Sequence, residues 1–394
     1  MLSPLMTIIG TLFAFSISIL LYLNFSLNYY YYFFAPVFLL ILFHTAVNQI
    51  TNKTSRPRND WALVIKKSLG KYIFWLLVIY LVVWIYTHHS FYIDFAPNTV
   101  QMLIFFKKIY WVAGLPYFIF IERYKTGPFE WLNDPYLKVL SFLWTLYKRD
   151  WKSLKYRLFK SGYRTVILTW LIRFHYMPVM VEQVFWGTQR VVGHLKQPDP
   201  VLTNEAFLVG LLFLIDAINA SIGYFWESSL TGTRFRAVDT NAIHWIVAPM
   251  CYMPFIEYAS DFIPFPEGAG GVLLMSHPLF ETGVNILTII SMIGLVLCTT
   301  CLGFSYSNLC YKKIQTRGPY AIVRHPGTVF KMSFFFLTTF RYAASWTLTL
   351  IGCYIFWMGI YVARLLCEER FLKRFREYRE YMEVTRYRLI PGVW

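Results

Sequence analysis

Long apolar runs separated by short polar loops extend over the whole chain. A helix needs about 20 predominantly apolar residues to cross a bilayer. Ten runs approach that length, near residues 4–24, 29–48, 71–87, 101–122, 164–186, 204–226, 242–260, 282–305, 328–343 and 346–366. The pattern predicts an all-α fold, a polytopic transmembrane helical bundle of about ten helices.

Two runs depart from a simple span. Lys107 and Lys108 interrupt the fourth run, which leaves open a shorter helix that starts near Ile109. The last two runs are short and only a few residues apart, so they predict a tight helical hairpin. The composition agrees with a membrane protein, because 57% of the residues are hydrophobic and only 15% are charged. One soluble core could not bury that much apolar side chain.

The distribution of charge predicts the orientation. The net charge is +16, and its basic residues concentrate in the loops 49–70, 123–163 and 306–324, which fall on one side of a ten-helix bundle. Acidic residues gather on the other side, at Glu257, Asp261, Glu267 and Glu281. This asymmetry follows the positive-inside rule and places both termini in the cytoplasm. We therefore expect the basic loops to contact membrane lipids, and we expect no nucleic-acid partner.

Charged and polar residues inside the apolar runs mark candidate functional positions, because such groups are costly in a bilayer. They are Arg173, His175, Glu182, Asp216, Asn219 and His244. Each has a structural alternative: Arg173 or Glu182 could pair with Asp216 or another neighbour and lock two helices together. Asp239 and Thr240 are better interpreted as the N-cap of the seventh helix. Cys298 and Cys301 have redox spacing, but they lie in an apolar helix and favour simple packing.

The C-terminal part carries the most informative motif. Residues 317–326 read RGPYAIVRHP, and Pro326 suits the first turn of the next helix. After the predicted hairpin, Glu368 and Glu369 follow an apolar helix. Apolar side chains then recur at helical spacing to Tyr381, which predicts an amphipathic tail helix on the cytoplasmic membrane face.

This combination resembles the isoprenylcysteine carboxyl methyltransferase family and its bacterial membrane relatives, over about residues 282–394. The resemblance implies S-adenosylmethionine as cofactor and a lipophilic or prenylated substrate that enters from the bilayer. It implies catalytic roles for Arg324 and Glu368. The cofactor-binding residues that it implies are Gly318, Pro319, Tyr320, His325, Pro326, Glu369, Tyr378, Tyr381 and Arg388.

Two positions depart from the family pattern. Where the family commonly has an aromatic and then a small residue after His-Pro, this chain continues with residues 327–330, GTVF. Arg386 and Arg388 flank Tyr387 before the Leu-Ile-Pro ending, so either arginine could take the family role. Methyl transfer needs two reactants positioned in line, and we expect no metal in the site.

The resemblance also suggests an organisation and a location. We expect an N-terminal transmembrane region at 1–200, a middle region at 201–281 and a methyltransferase-like domain at 282–394. We expect a multi-pass protein of a bacterial inner membrane with a cytoplasmic-facing active site, while its oligomeric state stays open. Two alternatives remain: an NADPH-dependent sterol or enone reductase of similar architecture, and a non-catalytic transporter or scaffold.

Overall fold

The chain folds almost entirely into α-helices. A computed structural model describes residues 4–24, 31–51, 59–124, 135–159, 161–195, 204–227, 233–263, 274 and 277–394. Within these ranges the helices are α1 (Pro4–Asn24), α2 (Tyr31–Thr51), α3 (Trp61–His88), α4 (Ser90–Phe95), α5 (Pro97–Tyr124), α6 (Pro135–Tyr147), α7 (Trp151–Phe159), α8 (Ser161–Leu195), α9 (Glu205–Phe225), α10 (Ala242–Met250), α11 (Phe255–Ser260), α12 (Pro278–Leu302), α13 (Pro326–Phe340), α14 (Leu348–Leu372) and α15 (Arg376–Val384). In this described part the only strands, β1 (Ala237–Val238) and β2 (Cys310–Tyr311), pair antiparallel. The predicted all-α class is confirmed.

Five helical segments are long and apolar enough to cross a bilayer. They are Trp61–His88, Pro97–Tyr124, Glu205–Phe225, Pro278–Ser305 and Leu348–Leu372. Their length and composition indicate a membrane protein. The number of crossings and the cytoplasmic placement of both termini stay predictions, and parts of the two N-terminal basic loops, at 52–58 and 125–134, lie outside the described residues. Of the predicted region boundaries, 200/201 also lies outside them, and 281/282 falls within the first turn of α12.

The predicted seventh span, 242–260, is wrong as one continuous helix. It consists of the two short helices α10 and α11, separated near Pro249 and Pro254, which lack the N–H that a continuous helix would use. The N-cap of α10 is also one position later than expected. Asn241 accepts a hydrogen bond from the Ile243 N–H, whereas Asp239 accepts one from the Asn241 N–H and contacts His244.

The fourth predicted span is continuous. Helix α5 runs unbroken through Lys107 and Lys108, so the alternative start near Ile109 is not observed. The Lys107 Nζ lies 4.8 Å from the centre of the Tyr80 ring on α3. This cation–π contact gives one of the two lysines a partner within the helical bundle.

Helix α9 lies at the centre of the fold, packed against α8 and α12. Two glycines allow close approaches around it. A Cβ on Gly223 would lie 2.3 Å from the Tyr306 carbonyl oxygen, and one on Gly294 of α12 would lie 2.4 Å from the Phe330 ring of α13. Both distances are shorter than the contacts that real Cβ atoms make. The lack of a side chain at these two positions therefore allows the observed separations around α9, α12 and α13.

The polar groups predicted inside the apolar runs mostly join helices. Glu182 of α8 accepts hydrogen bonds from the N–H of Thr99 (2.7 Å), the hydroxyl of Thr99 (2.9 Å) and the amide of Asn98 (2.8 Å), all at the start of α5. A carboxylate at a helix N-terminus satisfies free N–H groups and complements the helix dipole. Arg173 pairs with Glu227 at 2.6 Å rather than with Asp216. The structural alternative therefore accounts for the contacts of Glu182 and Arg173.

One buried lysine satisfies carbonyls at the ends of two helices. The Lys312 Nζ donates to the Gly223 carbonyl near the end of α9 and, at 3.1 Å, to the Phe304 carbonyl just after α12. The Phe235 ring lies 4.3 Å from the same Nζ. Cations near helix C-termini bind the last carbonyl groups, which have no partner within the helix. Burial lowers the pKa of Lys312 from 10.5 to about 8.

The lowered pKa of Lys312 predicts a pH-dependent stability. Between pH 8 and 10.5 the unfolded chain holds the proton more tightly than the folded protein, so this lysine makes stability rise with pH across that window. We expect Lys312→Met to abolish this rise. The difference in unfolding free energy between wild type and the variant should therefore widen by at most about 1.4 kcal/mol per pH unit. Thermal unfolding of the detergent-purified protein at several pH values measures it.

Lys313→Met provides the matched control, because Lys313 is the adjacent residue and is exposed. Its unfolding temperature should follow the wild-type pH profile. A stability difference between wild type and Lys312→Met that stays constant from pH 8 to 10 would contradict the prediction.

Candidate functional site

The side chain of Glu369 joins the two halves of the C-terminal motif. Glu369 lies in the last turn of α14 and is 1% exposed. Its Oε1 accepts a hydrogen bond from Arg324 Nε at 2.7 Å and lies 3.3 Å from His325 Nε2. Its Oε2 accepts from Arg388 Nε at 2.9 Å and lies 3.7 Å from Lys373 Nζ. One buried carboxylate therefore binds basic groups from three segments of the chain.

Backbone hydrogen bonds hold the RHP segment against the C-terminal tail. The N–H of Arg324 donates to the Tyr387 carbonyl, and the N–H of His325 donates to the Arg388 carbonyl, both at 2.9 Å. Arg324 Nη1 also donates to the carbonyls of Thr385 and Arg386. The backbone of the tail is thus bound beside the start of α13.

The local sequence explains this geometry. Pro326 is the first residue of α13, where a missing N–H costs nothing. Gly318 has φ +65°, a conformation that favours glycine, and Pro319 follows it in a single 3-10 turn from Gly318 to Ala321. This turn places Tyr320, whose carbonyl accepts a hydrogen bond from the Tyr381 hydroxyl at 2.6 Å.

The tail helix packs differently from the prediction. Helix α15 does not use its apolar face for a membrane surface, because Tyr378 and Tyr381 are buried against Tyr311, Phe371 and Leu372. Helix α14 continues to Leu372 and the chain turns back immediately after it, so α15 packs against the end of α14. The predicted membrane-face packing of this helix is wrong for those two tyrosines.

The two predicted catalytic residues have different environments. Arg324 is 6% exposed and gives Nε and Nη1 to protein acceptors, as a group that holds the fold together would. Glu368 is exposed, although it directly precedes the buried Glu369 on the helix. Burial, the Cys298 thiol and the Glu368 carboxylate together raise the pKa of Tyr320 well above its usual range. Glu368 thus lies within electrostatic reach of Tyr320.

Three predicted residues could hold the implied cofactor. S-adenosylmethionine carries a sulfonium, an ammonium, a carboxylate and a ribose diol, so it needs both acidic and basic partners. Glu368 offers an exposed carboxylate. Arg388 binds Glu369 through Nε alone, and the Tyr378 hydroxyl is buried without a hydrogen-bond partner among the described residues. Both oxygens of Glu369 are occupied, so it fits the role of a positioning residue rather than a direct ligand.

A second polar cluster lies one helical turn before Glu368 on α14. Arg364 Nη1 donates to the Tyr252 hydroxyl at 2.8 Å, and the Asn308 amide donates to the same oxygen at 3.0 Å. Lys331 of α13 approaches the Tyr252 ring, with Nζ 5.2 Å from its centre. Sequence reasoning missed this cluster, although Lys331 and Arg364 are charged residues within predicted spans and so carried the signal used for Asp216.

An apolar groove opens between α12, α13 and α14. Its volume is about 450 Å³. The lining residues are Leu287, Ile290, Ser291, Met332, Ser333, Phe336, Leu337 and Tyr354. It lies beside α13, the helix that begins at Pro326 of the RHP motif.

Loss of the Glu369 charge should destabilise the protein. Glu369→Gln leaves the buried Arg324 guanidinium without its carboxylate, and breaking a buried ion pair from one side costs about 3–5 kcal/mol. Glu368→Gln is the matched control, because it makes the same change at the adjacent exposed position. Denaturant unfolding followed by fluorescence measures both, and equal effects of the two substitutions would contradict the assigned role of Glu369.

The comparisons with known proteins leave the function to be inferred from this geometry. Neither a scan against protein-family models nor a search of curated proteins finds a match to the chain. The resemblance therefore rests on the residues of the C-terminal motif, and two of its separated parts, Arg324 and Arg388, meet at one carboxylate.

Proposed function

We propose that the chain is an integral membrane methyltransferase that uses S-adenosylmethionine to methylate a lipophilic acceptor. The observation that carries the proposal is the hydrogen bonding of Glu369 to both Arg324 and Arg388. The RHP motif and the C-terminal arginine lie far apart in sequence, and a shared pocket requires them to meet. Their meeting at one end of the bundle supports a common site.

In this proposal each acidic and basic group has a separate task. The exposed Glu368 carboxylate attracts the positive end of the cofactor, and the guanidinium of Arg388 binds its carboxylate with the nitrogens that Glu369 leaves free. Glu369 positions Arg388, since its Oε2 holds Arg388 Nε at 2.9 Å. When bound, S-adenosylmethionine supplies an electrophilic methyl group on a positively charged sulfur.

The apolar groove supports a lipophilic acceptor. Leu287, Ile290 and Phe336 line it and are 51%, 51% and 42% exposed, so an alkyl chain could bury apolar surface there. Helix α13 runs from this groove to the RHP motif. An acceptor chain in the groove would therefore place its head group near the proposed cofactor pocket, where proximity and exclusion of water favour the transfer.

We infer that this end of the bundle faces the cytoplasm, where a soluble cofactor is accessible. The segment between α12 and α13 carries Lys312, Lys313, Arg317 and Arg324, and the tail that packs on it is also rich in arginine. An excess of basic residues favours the cytoplasmic side.

Binding of the cofactor tests the proposal directly. We expect the purified protein in detergent to bind S-adenosylmethionine saturably, as measured by calorimetry, and we expect NADPH not to bind. Glu368→Gln should weaken binding by about tenfold, since the loss of one charge-assisted interaction costs roughly 1.5 kcal/mol.

Glu383→Gln is the control for this experiment. Glu383 is an exposed acid on α15, so its substitution makes the same change of charge within the tail. Binding by Glu383→Gln should equal that of the wild type. NADPH binding without S-adenosylmethionine binding would favour the reductase, and binding of neither would favour a non-catalytic protein.

A further inference from the structure

The phenolic oxygen of Tyr252 accepts hydrogen bonds from two nitrogen donors. Arg364 Nη1 on α14 lies 2.8 Å from it, and Asn308 Nδ2 in the segment after α12 lies 3.0 Å from it. The hydroxyl of Tyr306 is 3.4 Å away and can donate as well. Asn308 also donates to Tyr224 at 2.5 Å, which fixes the orientation of its amide. A phenolic oxygen that receives this many donors is bound as an acceptor.

Two cations lie close to Tyr252, and neither forms an ion pair with a carboxylate among the residues that the structure describes. Lys331 Nζ lies over three rings, 5.2 Å from the centre of Tyr252, 5.4 Å from Tyr361 and 5.9 Å from Phe335. Lys331 makes no hydrogen bond or ion pair with the residues that the structure describes. Arg364 hydrogen-bonds to Tyr252, and its Nε is buried and has no hydrogen-bond partner among the described residues.

The nearby acids do not neutralise the two cations at close range. Asp216 lies within electrostatic reach of Lys331, but the Thr299 hydroxyl donates to it instead. Glu368 acts on Arg364 from one turn further along α14, where it is exposed. The remaining titratable groups around Tyr252 are Tyr176, Tyr224, Tyr306, Tyr361 and Cys251.

Charge balance favours an ionised tyrosine. A buried cation without a partner is costly, and Lys331 and Arg364 both contact the ring of Tyr252, at 5.2 Å and 5.8 Å from its centre. We infer that Tyr252 is a phenolate held by Arg364, Asn308 and Lys331, and that it accepts a proton from a weakly acidic O–H group of a lipophilic phenol or alcohol.

The choice of acceptor rests on the proposed methyl transfer. As the acceptor O–H bond breaks, the proton goes to the Tyr252 oxygen and the acceptor oxygen forms a bond to the methyl carbon. The carbon–sulfur bond of S-adenosylmethionine breaks with its electron pair remaining on sulfur. The Tyr252 phenol afterwards releases the proton to water. A carboxylate acceptor would be ionised already and would need no such base.

The position of Tyr252 suits this role. Arg364 and Glu368 are four residues apart on α14, so they share a helix face and are separated by about 6 Å along its axis. Arg364 holds the phenolic oxygen, and Glu368 lies at the proposed cofactor pocket. Lys331 on α13 lies next to Met332 and Ser333, which line the apolar groove. Tyr252 is therefore bound by a residue of the helix that carries Glu368 and contacts a residue of a helix that lines the groove.

An ultraviolet difference titration tests the ionisation independently of any activity. The full chain, purified in detergent, is titrated in the tyrosinate absorption band, and wild type is compared with Tyr252→Phe. We expect wild type to contain one tyrosine that ionises well below the ordinary value of about 10, and Tyr252→Phe to lack it. Tyr258→Phe, at a position 61% exposed, should retain the low step. Absence of a low step in the wild type would overturn the inference.

A second variant keeps the phenol and removes one cation. Lys331→Met should raise the midpoint of the low step by at least about one pH unit, because one of the two positive charges beside Tyr252 is lost. An unchanged midpoint would overturn the assignment of Lys331. The titration of Lys331→Met also tests the inference if the Tyr252→Phe variant does not fold.

The acceptor is tested with a long-chain alkylphenol and a fatty acid of matched length. We expect transfer of labelled methyl from S-adenosylmethionine to the phenol, with a rate that rises through the midpoint of the low step. Methylation of the fatty acid alone would overturn the acceptor class while leaving the proposed methyltransferase intact. Failure of the wild type to bind S-adenosylmethionine would reject the proposed methyltransferase. The titration reports on the ionisation of Tyr252 whichever result is obtained.

Discussion

The geometry of the C-terminal part depends on one buried carboxylate. Glu369 accepts hydrogen bonds from Arg324 Nε and Arg388 Nε, and its negative charge offsets part of their positive charge. A charge of this kind is costly to bury alone, yet with several donors around it the ion cluster becomes favourable and specific in geometry. The start of α13, the end of α14 and the tail are therefore parts of one electrostatic unit, and a ligand at Glu368 would bind to a surface that this unit has already ordered.

Much of the architecture could be predicted from the spacing of apolar residues. Helices α9, α12 and α14 agree with predicted runs because a continuous apolar segment of that length has few alternatives to a helix. The apolar pattern does not predict the break between α10 and α11, although Pro249 and Pro254 indicate one. The packing of α15 was not predictable in the same way, because its amphipathic pattern fits a membrane surface and a protein surface equally well.

The candidate site shows a similar division. The motif identified the segments that meet, but it could not separate the tasks of Glu368 and Glu369. Neighbouring residues on a helix point about 100° apart, so one is buried and the other exposed according to the rotation of α14, which only tertiary packing fixes. Lys331 and Arg364 were visible as charges within apolar runs. Their convergence on Tyr252 could not be predicted from the sequence, because the three residues come from separate elements.

The close contact of Gly294 with Phe330 also governs the neighbouring groove. Because the Phe330 ring of α13 rests where a side chain on Gly294 would lie, the close approach of α12 and α13 is a contact of backbone against ring. The adjacent groove is lined by residues of both helices. A side chain at position 294 would therefore have to displace the Phe330 ring or separate the two helices, and either movement would reshape the groove.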